Sequence, residues 1–158
     1  MREILIKSGG NINTIFLCTI LAFLFLGLLI ILRLLSKRGK DCGEIDQMDG
    51  REFEYFCAEL LKRKGFQEVQ VTKASGDYGV DILAEKEGIT FAIQCKCYHS
   101  SIGVKAVQEA HAGRDYYDCM IGVVLTNQYF TTPAVEAARK LKILLWDRGY
   151  LESMMQEG

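Results

Sequence analysis

The sequence has few of the residues that usually hold structural metal ions. Its 158 residues include two histidines, and none of the six cysteines forms a CxxC pair. Structural zinc sites are built from closely spaced Cys and His ligands, so this composition argues against a zinc-stabilised fold. Cysteines without such spacing are typical of a reducing compartment, in which thiols stay free.

Internal repeats and low-complexity segments are also absent, and the length leaves room for one ordinary domain with a short appendage. The net charge of −1 is unevenly divided. Residues 1–40 carry six Lys and Arg against one acid, a charge of +5, whereas residues 41–158 carry 13 against 19, a charge of −6. The acidic part would not bind nucleic acid through bulk charge. A DNA-binding function would therefore need a local basic groove or bound cations.

A long uncharged segment lies near the N-terminus. The 18 residues Ile15–Leu32 contain no charged side chain. With its flanking residues, this run is long enough to cross a hydrocarbon core of roughly 30 Å as a helix. A cleaved signal peptide would have a shorter apolar run and an A-x-A-like cleavage site, which the sequence lacks. The pattern predicts a transmembrane helix at residues 14–35, after an N-terminal tail at 1–13 and before a polar linker at 36–48.

The charges beside this segment predict its orientation. Four basic residues follow the segment, whereas two basic residues and one acid precede it. Such an excess is typical of the cytoplasmic side, so we expect a single-pass protein of the inner or plasma membrane with a cytoplasmic C-terminal domain. The lipid bilayer would then be the partner of residues 14–35. The segment has no GxxxG pattern and so offers no obvious face for dimerisation.

Residues 49–158 have the pattern of an α/β domain. Asp49 and Glu52 form a capping box before a stretch of apolar residues at helical spacing. Met120–Thr126 is an apolar run typical of a strand buried on both faces, and Thr132 with Pro133 would begin a further helix. The predicted order is α-β-β-β-α-β-α-β-α, with strands at 68–73, 80–85, 89–98, 120–126 and 143–146. This order predicts a mixed β-sheet covered by helices.

Three polar residues on two neighbouring strands are the main candidates for chemistry. Gln94 and Lys96 are two apart on the third predicted strand and therefore share a face. A turn near Gly88 would bring Asp81 alongside them. Carboxylate, amide and carbonyl oxygens suit Mg²⁺, so Asp81, Gln94 and the Cys95 carbonyl are the predicted ligands. Lys96 would hold a water molecule or stabilise the charge that develops on a phosphate.

Glu54 is a fourth candidate, at the margin of the apolar stripe of the first predicted helix. Its carboxylate would join a network of water and metal, or bind a second ion. Spacing alone also fits an exposed cross-strand pair of Asp81 and Lys96 with no catalytic role, and such pairs contribute little to stability.

Several motifs occur in a specific order. Phe53-Glu54 begins the first helix, and Gly76-Asp77-Tyr78-Gly79-Val80-Asp81-Ile82 and Gln94-Cys95-Lys96 follow as a GDxGVD element and a QxK half-motif. Over residues 49–151 the chain resembles the catalytic domain of Mrr-type restriction endonucleases, in the PD-(D/E)xK nuclease superfamily. The resemblance implies a restriction-endonuclease-like mixed β-sheet flanked by helices. It also implies metal-binding roles for Asp81 and Gln94, a catalytic Lys96 and an accessory acid at Glu54.

Two positions depart from the superfamily pattern. Val80 replaces a proline, which matters little because Asp81 remains. Gln94 replaces an acid, which removes one negative ligand and should weaken metal binding, although the Mrr group also uses Gln at this position.

The resemblance further implies a DNA partner and Mg²⁺ as cofactor, with Mn²⁺ as a substitute. Gln108 would line the DNA groove, and Lys105 and Asp77 are further candidates for contact with nucleic acid. A homodimer is plausible because cutting both strands usually needs two active sites. The expected function is a membrane-anchored, type IV restriction-like endonuclease. Mrr-type enzymes usually carry a separate DNA-reading domain, whose place the membrane helix takes here. A non-cleaving DNA- or protein-binding module is therefore the alternative.

Overall fold

The computed structural model describes residues 15–17, 19–29, 43–72 and 78–156. The chain divides into two compact units, Met1–Asp41 and Cys42–Gly158. The first unit is helical over residues 15–17 and 19–29, where large apolar side chains are exposed. Within the described parts of the chain, no helix is long and apolar enough to cross a membrane. Residues 14, 18 and 30–35 of the predicted transmembrane helix, the tail at 1–13 and linker residues 36–42 lie outside the described residues.

The described residues of the second unit form an α/β domain whose element order confirms the predicted one. Its helices and strands, in chain order, are α1 (Gly50–Arg63), β1 (Gln67–Val71), β2 (Ile82–Lys86), β3 (Ile89–Lys96), α2 (Val104–Tyr116), β4 (Ile121–Thr126), α3 (Thr132–Leu141), β5 (Ile143–Trp146) and α4 (Arg148–Gln156).

The strands form one five-stranded sheet in the order β1-β2-β3-β4-β5. β1, β2 and β3 pair antiparallel, whereas β3, β4 and β5 pair parallel. Glu87 and Gly88 both have positive φ, at 54° and 78°, which allows a tight hairpin between β2 and β3. The two parallel connections pass through α2 and α3, as parallel strands require. The predicted mixed sheet is therefore confirmed.

α1 begins and ends as its sequence predicts. The Asp49 side chain accepts a hydrogen bond from the Glu52 backbone N–H, and the Glu52 carboxylate accepts one from the Asp49 N–H. At the other end Gly65 has φ +81°, and the Phe66 N–H donates to the Leu61 carbonyl. This left-handed turn satisfies the last carbonyls of the helix and directs Phe66 onto the core.

The two faces of the sheet carry different cores. The face under α1 and α4 is built from large side chains, and the Phe66 ring lies edge-on to Phe91 and Trp146. The face under α2 and α3 is built largely from alanines and β-branched residues. Along β3, Ile93 and Cys95 belong to the first core, so Gln94 between them belongs to the opposite face.

The start of α3 corrects one expectation. Thr131, not Thr132, is the N-cap, because its extended backbone lets its hydroxyl accept a hydrogen bond from the Ala134 N–H at 3.4 Å. Thr132 is the first residue of the helix, and Pro133 lies in its first turn, where a missing N–H costs nothing.

The end of β3 is also earlier than predicted, at Lys96 rather than Tyr98. The Tyr98 N–H donates to the Asn127 side-chain oxygen at 2.9 Å, and the Asn127 amide donates back to the Tyr98 carbonyl at 3.0 Å. A buried side chain thus replaces the neighbouring strand as the partner of this backbone. α4 likewise begins at Arg148, two residues before its predicted start at 150.

Residues 43–48, which the sequence analysis assigned to the linker, pack into the second unit. Ile45 is buried in the core under α1. The Asp46 carboxylate accepts hydrogen bonds from Arg148 at 2.8 Å and from the Asn127 amide at 2.9 Å. The bond from Arg148 outweighs the opposing effect of burial and, with Asn127, lowers the pKa of the Asp46 carboxyl below its usual value.

Candidate active site

The candidate site lies where the start of β2 meets the end of β3. The antiparallel register pairs Ile82 with Ile93, and the Asp81 N–H donates to the Ile93 carbonyl at 2.9 Å. Asp81 therefore lies opposite Gln94, the arrangement that a turn at Gly88 predicted.

The Asp81 carboxylate receives two hydrogen bonds from β3. Its Oδ2 atom accepts from Gln94 Nε2 at 2.5 Å and from the Cys95 backbone N–H at 2.6 Å. Both side chains are buried, with Asp81 9% and Gln94 4% exposed. Hydrogen bonds to a carboxylate are stronger than those between neutral groups, so these contacts fix the Asp81 carboxylate beside the end of β3.

The Gln94 oxygen has a different environment from its nitrogen. Among the described residues it has no hydrogen-bond partner, although it is buried. A buried polar atom in this state costs free energy and usually marks the place of a missing partner. The backbone of Gly79 lies close by, since a Cβ built there would be 2.9 Å from Gln94 Oε1. A side chain at position 79 would therefore intrude on the site.

The Gln94 side-chain nitrogen lies close to both of the other predicted metal ligands. Gln94 Nε2 is 3.4 Å from the Cys95 carbonyl oxygen as well as in contact with Asp81. The two ends of an amide have nearly the same shape, so a half-turn would bring the unpaired Oε1 between the carboxylate and the carbonyl. Three oxygens of this kind suit a Mg²⁺-like ion, and the residues present therefore fit the cation.

Such a site would not depend on a cluster of strong ligands. In the described part of the chain, no group of three or more His, Cys, Asp or Glu side chains is arranged to hold a metal ion. The donors that Asp81, Gln94 and Cys95 offer are one carboxylate, one amide and one backbone carbonyl.

Lys96 has a partner that the sequence analysis missed. Its Nζ lies 2.8 Å from Glu109 Oε2 on α2, and both side chains are mostly shielded, at 18% and 29% exposed. A signal for Glu109 does exist in the sequence. It lies at helical spacing with Ala106 and Gly113, both buried, so a carboxylate occupies the inward stripe of α2.

The ion pair keeps Lys96 charged. Burial has the largest single effect and acts to lower the pKa of this amine, but the Glu109 carboxylate and other nearby groups together raise the pKa above its usual value. Tyr98 and Asp81 add smaller contributions in the same direction.

Glu54 is held at the same end of the sheet through Arg51. The guanidinium lies 2.6 Å from the Glu54 carboxylate and also donates to the Thr72 carbonyl at 3.2 Å. Thr72 in turn bonds to the backbone of Asp81 through its N–H at 2.9 Å. Two short steps thus connect the accessory acid to the chain segment that carries Asp81.

The Cys95 thiol lies on the opposite face of β3 and is also close enough to Asp81 and Glu54 to be affected by their charges. Its pKa is raised well above the usual value, first by a hydrogen bond with Cys57 and by burial, and further by the nearby charges of Asp81 and Glu54. The thiol therefore stays protonated in the core, and the chemistry of this position lies in its backbone groups.

Two of the three residues predicted to contact DNA are among the described residues. Lys105 and Gln108 are exposed on α2, and the Lys105 ammonium lies 3.7 Å from Glu109 Oε1. Both side chains stand on the helix that covers the polar face of β3. Asp77 lies outside the described residues.

Several solved structures resemble this chain. The protein of unknown function AF1548 has a TM-score of 0.57 at 20% identity, over 66% of this chain and 64% of that one. The DNA modification-dependent restriction endonuclease AspBHI has a TM-score of 0.57 at 17% identity, over 77% of this chain and 35% of that one. The MspJI restriction endonuclease, solved in complex with a 27-mer oligonucleotide, has a TM-score of 0.54 at 20% identity, over 75% and 30%.

These likenesses concern the fold. The chain spans about two thirds of the length of the first structure and about a third of the two endonucleases. No curated protein matches the sequence.

The sequence itself matches a family model. The model Mrr_cat, described as restriction endonuclease, matches residues 45–155, which is more than half of the chain and includes every described residue of the candidate site. The family model and the solved structures agree on a restriction-endonuclease-like fold. The chain therefore belongs to the Mrr_cat family of restriction endonuclease domains.

Proposed function

We propose that this protein is a membrane-anchored, metal-dependent DNA endonuclease that hydrolyses phosphodiester bonds in the manner of type IV restriction enzymes. One observation carries the proposal. The Gln94 amide, on the strand that also carries Lys96, lies close to the Asp81 carboxylate and the Cys95 carbonyl through its nitrogen, and its oxygen is buried with no hydrogen-bond partner among the described residues.

The cofactor would be Mg²⁺, with Mn²⁺ as a substitute. Restriction endonuclease domains generally use divalent metals, and the ligands here would be Asp81, Gln94 and the Cys95 carbonyl. When bound, the ion would polarise the phosphate and acidify a water molecule. The Cys95 N–H and the β2–β3 pairing hold the Asp81 carboxylate beside the end of β3, whereas the Gln94 amide would make a half-turn on binding to present its oxygen.

Lys96 and Glu54 would act on the reacting groups. Lys96 is held charged, so it would stabilise negative charge on the phosphate and hold a water molecule through its N–H groups. Glu54, which now contacts Arg51, would join a network of water and metal or bind a second ion. These roles rest on the family resemblance together with the observed positions.

DNA would approach over α2. Lys105 and Gln108 are exposed there, and Asp77 precedes the described part of the loop to Asp81. The second unit is acidic overall, so binding would depend on these local groups and on the bound cation. Among the structural relatives, MspJI was solved with an oligonucleotide, which supports DNA as the partner.

Membrane anchoring would be the task of residues 14–35. Ile15–Leu32 carry no charge, and the described helical residues expose side chains such as Phe16, Phe23 and Leu24 in the unit to which they belong. The flanking charges favour a cytoplasmic nuclease domain at the inner or plasma membrane. Release of the protein from membranes by alkaline carbonate would contradict this anchor.

The test of the reaction is cleavage of plasmid DNA by the full chain in detergent. Nicked or linear product should form with Mg²⁺ or Mn²⁺ and not with EDTA. Asp81→Asn should reduce the rate of cleavage by at least about 100-fold, because Asp81 is the charged member of the three proposed ligands. Asp118→Asn is the matched control, since Asp118 is exposed and its φ of 51° suits asparagine. Equal cleavage by Asp81→Asn and wild type would refute the assignment.

A non-cleaving DNA- or protein-binding module is the second candidate. It is favoured by the neutral Gln94 in place of an acid and by the acidic second unit. Tight DNA binding without metal-dependent turnover, on plasmid, branched and methylated substrates, would select this candidate.

A homodimer would let two sites cut both strands. If the active protein sediments as a monomer and makes only nicks, the proposed homodimer is wrong.

A further inference from the structure

Lys96 needs something that fixes its ammonium group. β3 fixes only the backbone of this residue, and a lysine side chain has four rotatable methylene groups beyond it. A catalytic group that is displaced by about 1 Å loses much of its effect on the rate. The position of Nζ must therefore come from a contact at the end of the side chain.

Glu109 supplies that contact. Its buried Oε2 atom forms an ion pair of 2.8 Å with Lys96 Nζ that lacks the alignment of a hydrogen bond, while its Oε1 lies 3.7 Å from the Nζ of the exposed Lys105. The carboxylate thus joins an inner ammonium group on β3 to an outer one on the surface of α2. Because the inner pair is largely shielded from solvent, its attraction is stronger than that of a surface ion pair.

The position of Glu109 is itself fixed by close packing. A Cβ built at Gly79 would lie 2.8 Å from Glu109 Cβ and 2.9 Å from Gln94 Oε1. One turn farther along α2, Gly113 allows a similar approach of Val80. The helix is therefore pressed against the segment that leads into Asp81, and Glu109 and Gln94 border the same small volume.

We infer that Glu109 is a positioning residue of this active site, which holds the Lys96 ammonium beside Asp81 and Gln94. The sequence marks Glu109 only as an acid on the inward stripe of α2 and does not identify it as the partner of Lys96. The inference rests on the proposed nuclease function, because it assigns the role through Lys96. Lys105 approaches the same Glu109 carboxylate from the solvent side, where its ammonium group could bind a phosphate of the substrate.

The first test measures plasmid cleavage by the full chain in detergent. Glu109→Gln keeps the shape of the side chain and removes its charge. It should lower kcat by about 100-fold with little change in KM, because the misplaced lysine affects the reaction more than binding. Glu109→Asp should restore part of kcat. Lys105→Ala should instead raise KM. Wild-type kcat in Glu109→Gln would overturn the inference.

The second test does not depend on activity. Reductive methylation, followed by mass spectrometry of the peptide that contains Lys96, measures how freely its amine reacts. Glu109→Gln should make Lys96 react faster than in wild type. Glu59→Gln is the matched control, since Glu59 forms an exposed ion pair of 2.7 Å with Lys62. In that variant Lys96 should react as in wild type.

The two tests separate the possible failures. If the wild-type protein cuts no DNA with either metal, the proposed function fails, and the methylation rate alone decides whether Glu109 holds Lys96. If Lys96 reacts equally slowly in wild type and Glu109→Gln, the inference is wrong even for an active enzyme. Faster methylation with unchanged kcat would also overturn it, since the contact would then have no effect on the reaction.

Discussion

The two faces of β3 differ in what their side chains do. One face carries Ile93 and Cys95 into a core of large side chains under α1 and α4. The other carries Gln94 and Lys96 beneath α2, where small residues leave room for polar groups. The comparison teaches that one strand supports the fold on one side and the candidate chemistry on the other. A change on each face should therefore have a different kind of effect.

The largest expected effect is on the apolar face. Phe53 is fully buried there, so Phe53→Ala should lower the free energy of unfolding by about 3–5 kcal/mol through a cavity and lost burial. Urea unfolding of the full chain in detergent measures the change. Cleavage should fall only as far as the protein unfolds. Tyr55→Ala, on the exposed side of α1, is the control and should cost less than about 1 kcal/mol. A loss of cleavage in fully folded Phe53→Ala would break the distinction between the faces.

Gly79 lies where the polar face meets α2. Gly79→Ala forces a Cβ to within 2.8 Å of Glu109 Cβ at a φ of +79° and should cost about 1–3 kcal/mol. It should also lower metal-dependent cleavage by more than tenfold beyond its effect on folding, on the order expected for misplaced groups. Gly88→Ala has a similar φ of +78° but meets no atom within 4 Å, so it separates backbone strain from crowding. Equal cleavage by the two variants would show that crowding at Gly79 does not matter.

Asp49 tests a polar residue with a purely structural task. Asp49→Ala removes the side-chain acceptor of the Glu52 N–H, which is one half of the capping box, and should cost about 1 kcal/mol in urea unfolding. Cleavage by the folded protein should not change. Asp49→Ser retains a cap and should be close to wild type. A larger loss in Asp49→Ser than in Asp49→Ala would contradict the assignment of the cap.

Asp46 gives the smallest effect and a dependence on pH. Its folded pKa is depressed, so its contribution is present at neutral pH and is lost as pH falls through that folded value. The side chain is 35% exposed, which limits the contribution to about 1 kcal/mol or less. Asp46→Asn should therefore be less stable than wild type at neutral pH, and the two should converge in acid. A constant difference across the pH series would contradict this account.

Local features of the fold could be predicted from the sequence. The capping box at Asp49, the alternation along β3 and the hairpin at Gly88 all depend on neighbouring residues. The hairpin in turn brings Asp81 opposite Gln94. The family motifs supplied the roles of these residues, which spacing alone left open.

Contacts between distant residues could not be predicted in this way. Glu109 reaches Lys96 only because α2 folds back across the sheet, and Arg148 reaches Asp46 across 102 positions of sequence. The end of β3 was predicted two residues too late because Asn127, on a different segment, takes over the bonding of Tyr98. In each case the missing information was which segment packs against which.

Cleavage by Lys96→Ala tests the central claim most directly. Plasmid cleavage in Mg²⁺ and urea unfolding should be measured on the same preparations of the variant and the wild type. The account predicts that cleavage is lost while the free energy of unfolding changes by no more than about 2 kcal/mol, because Lys105 remains beside the Glu109 carboxylate that loses its inner partner. Cleavage at the wild-type rate by the folded variant would contradict the claim that this face of β3 is the catalytic one.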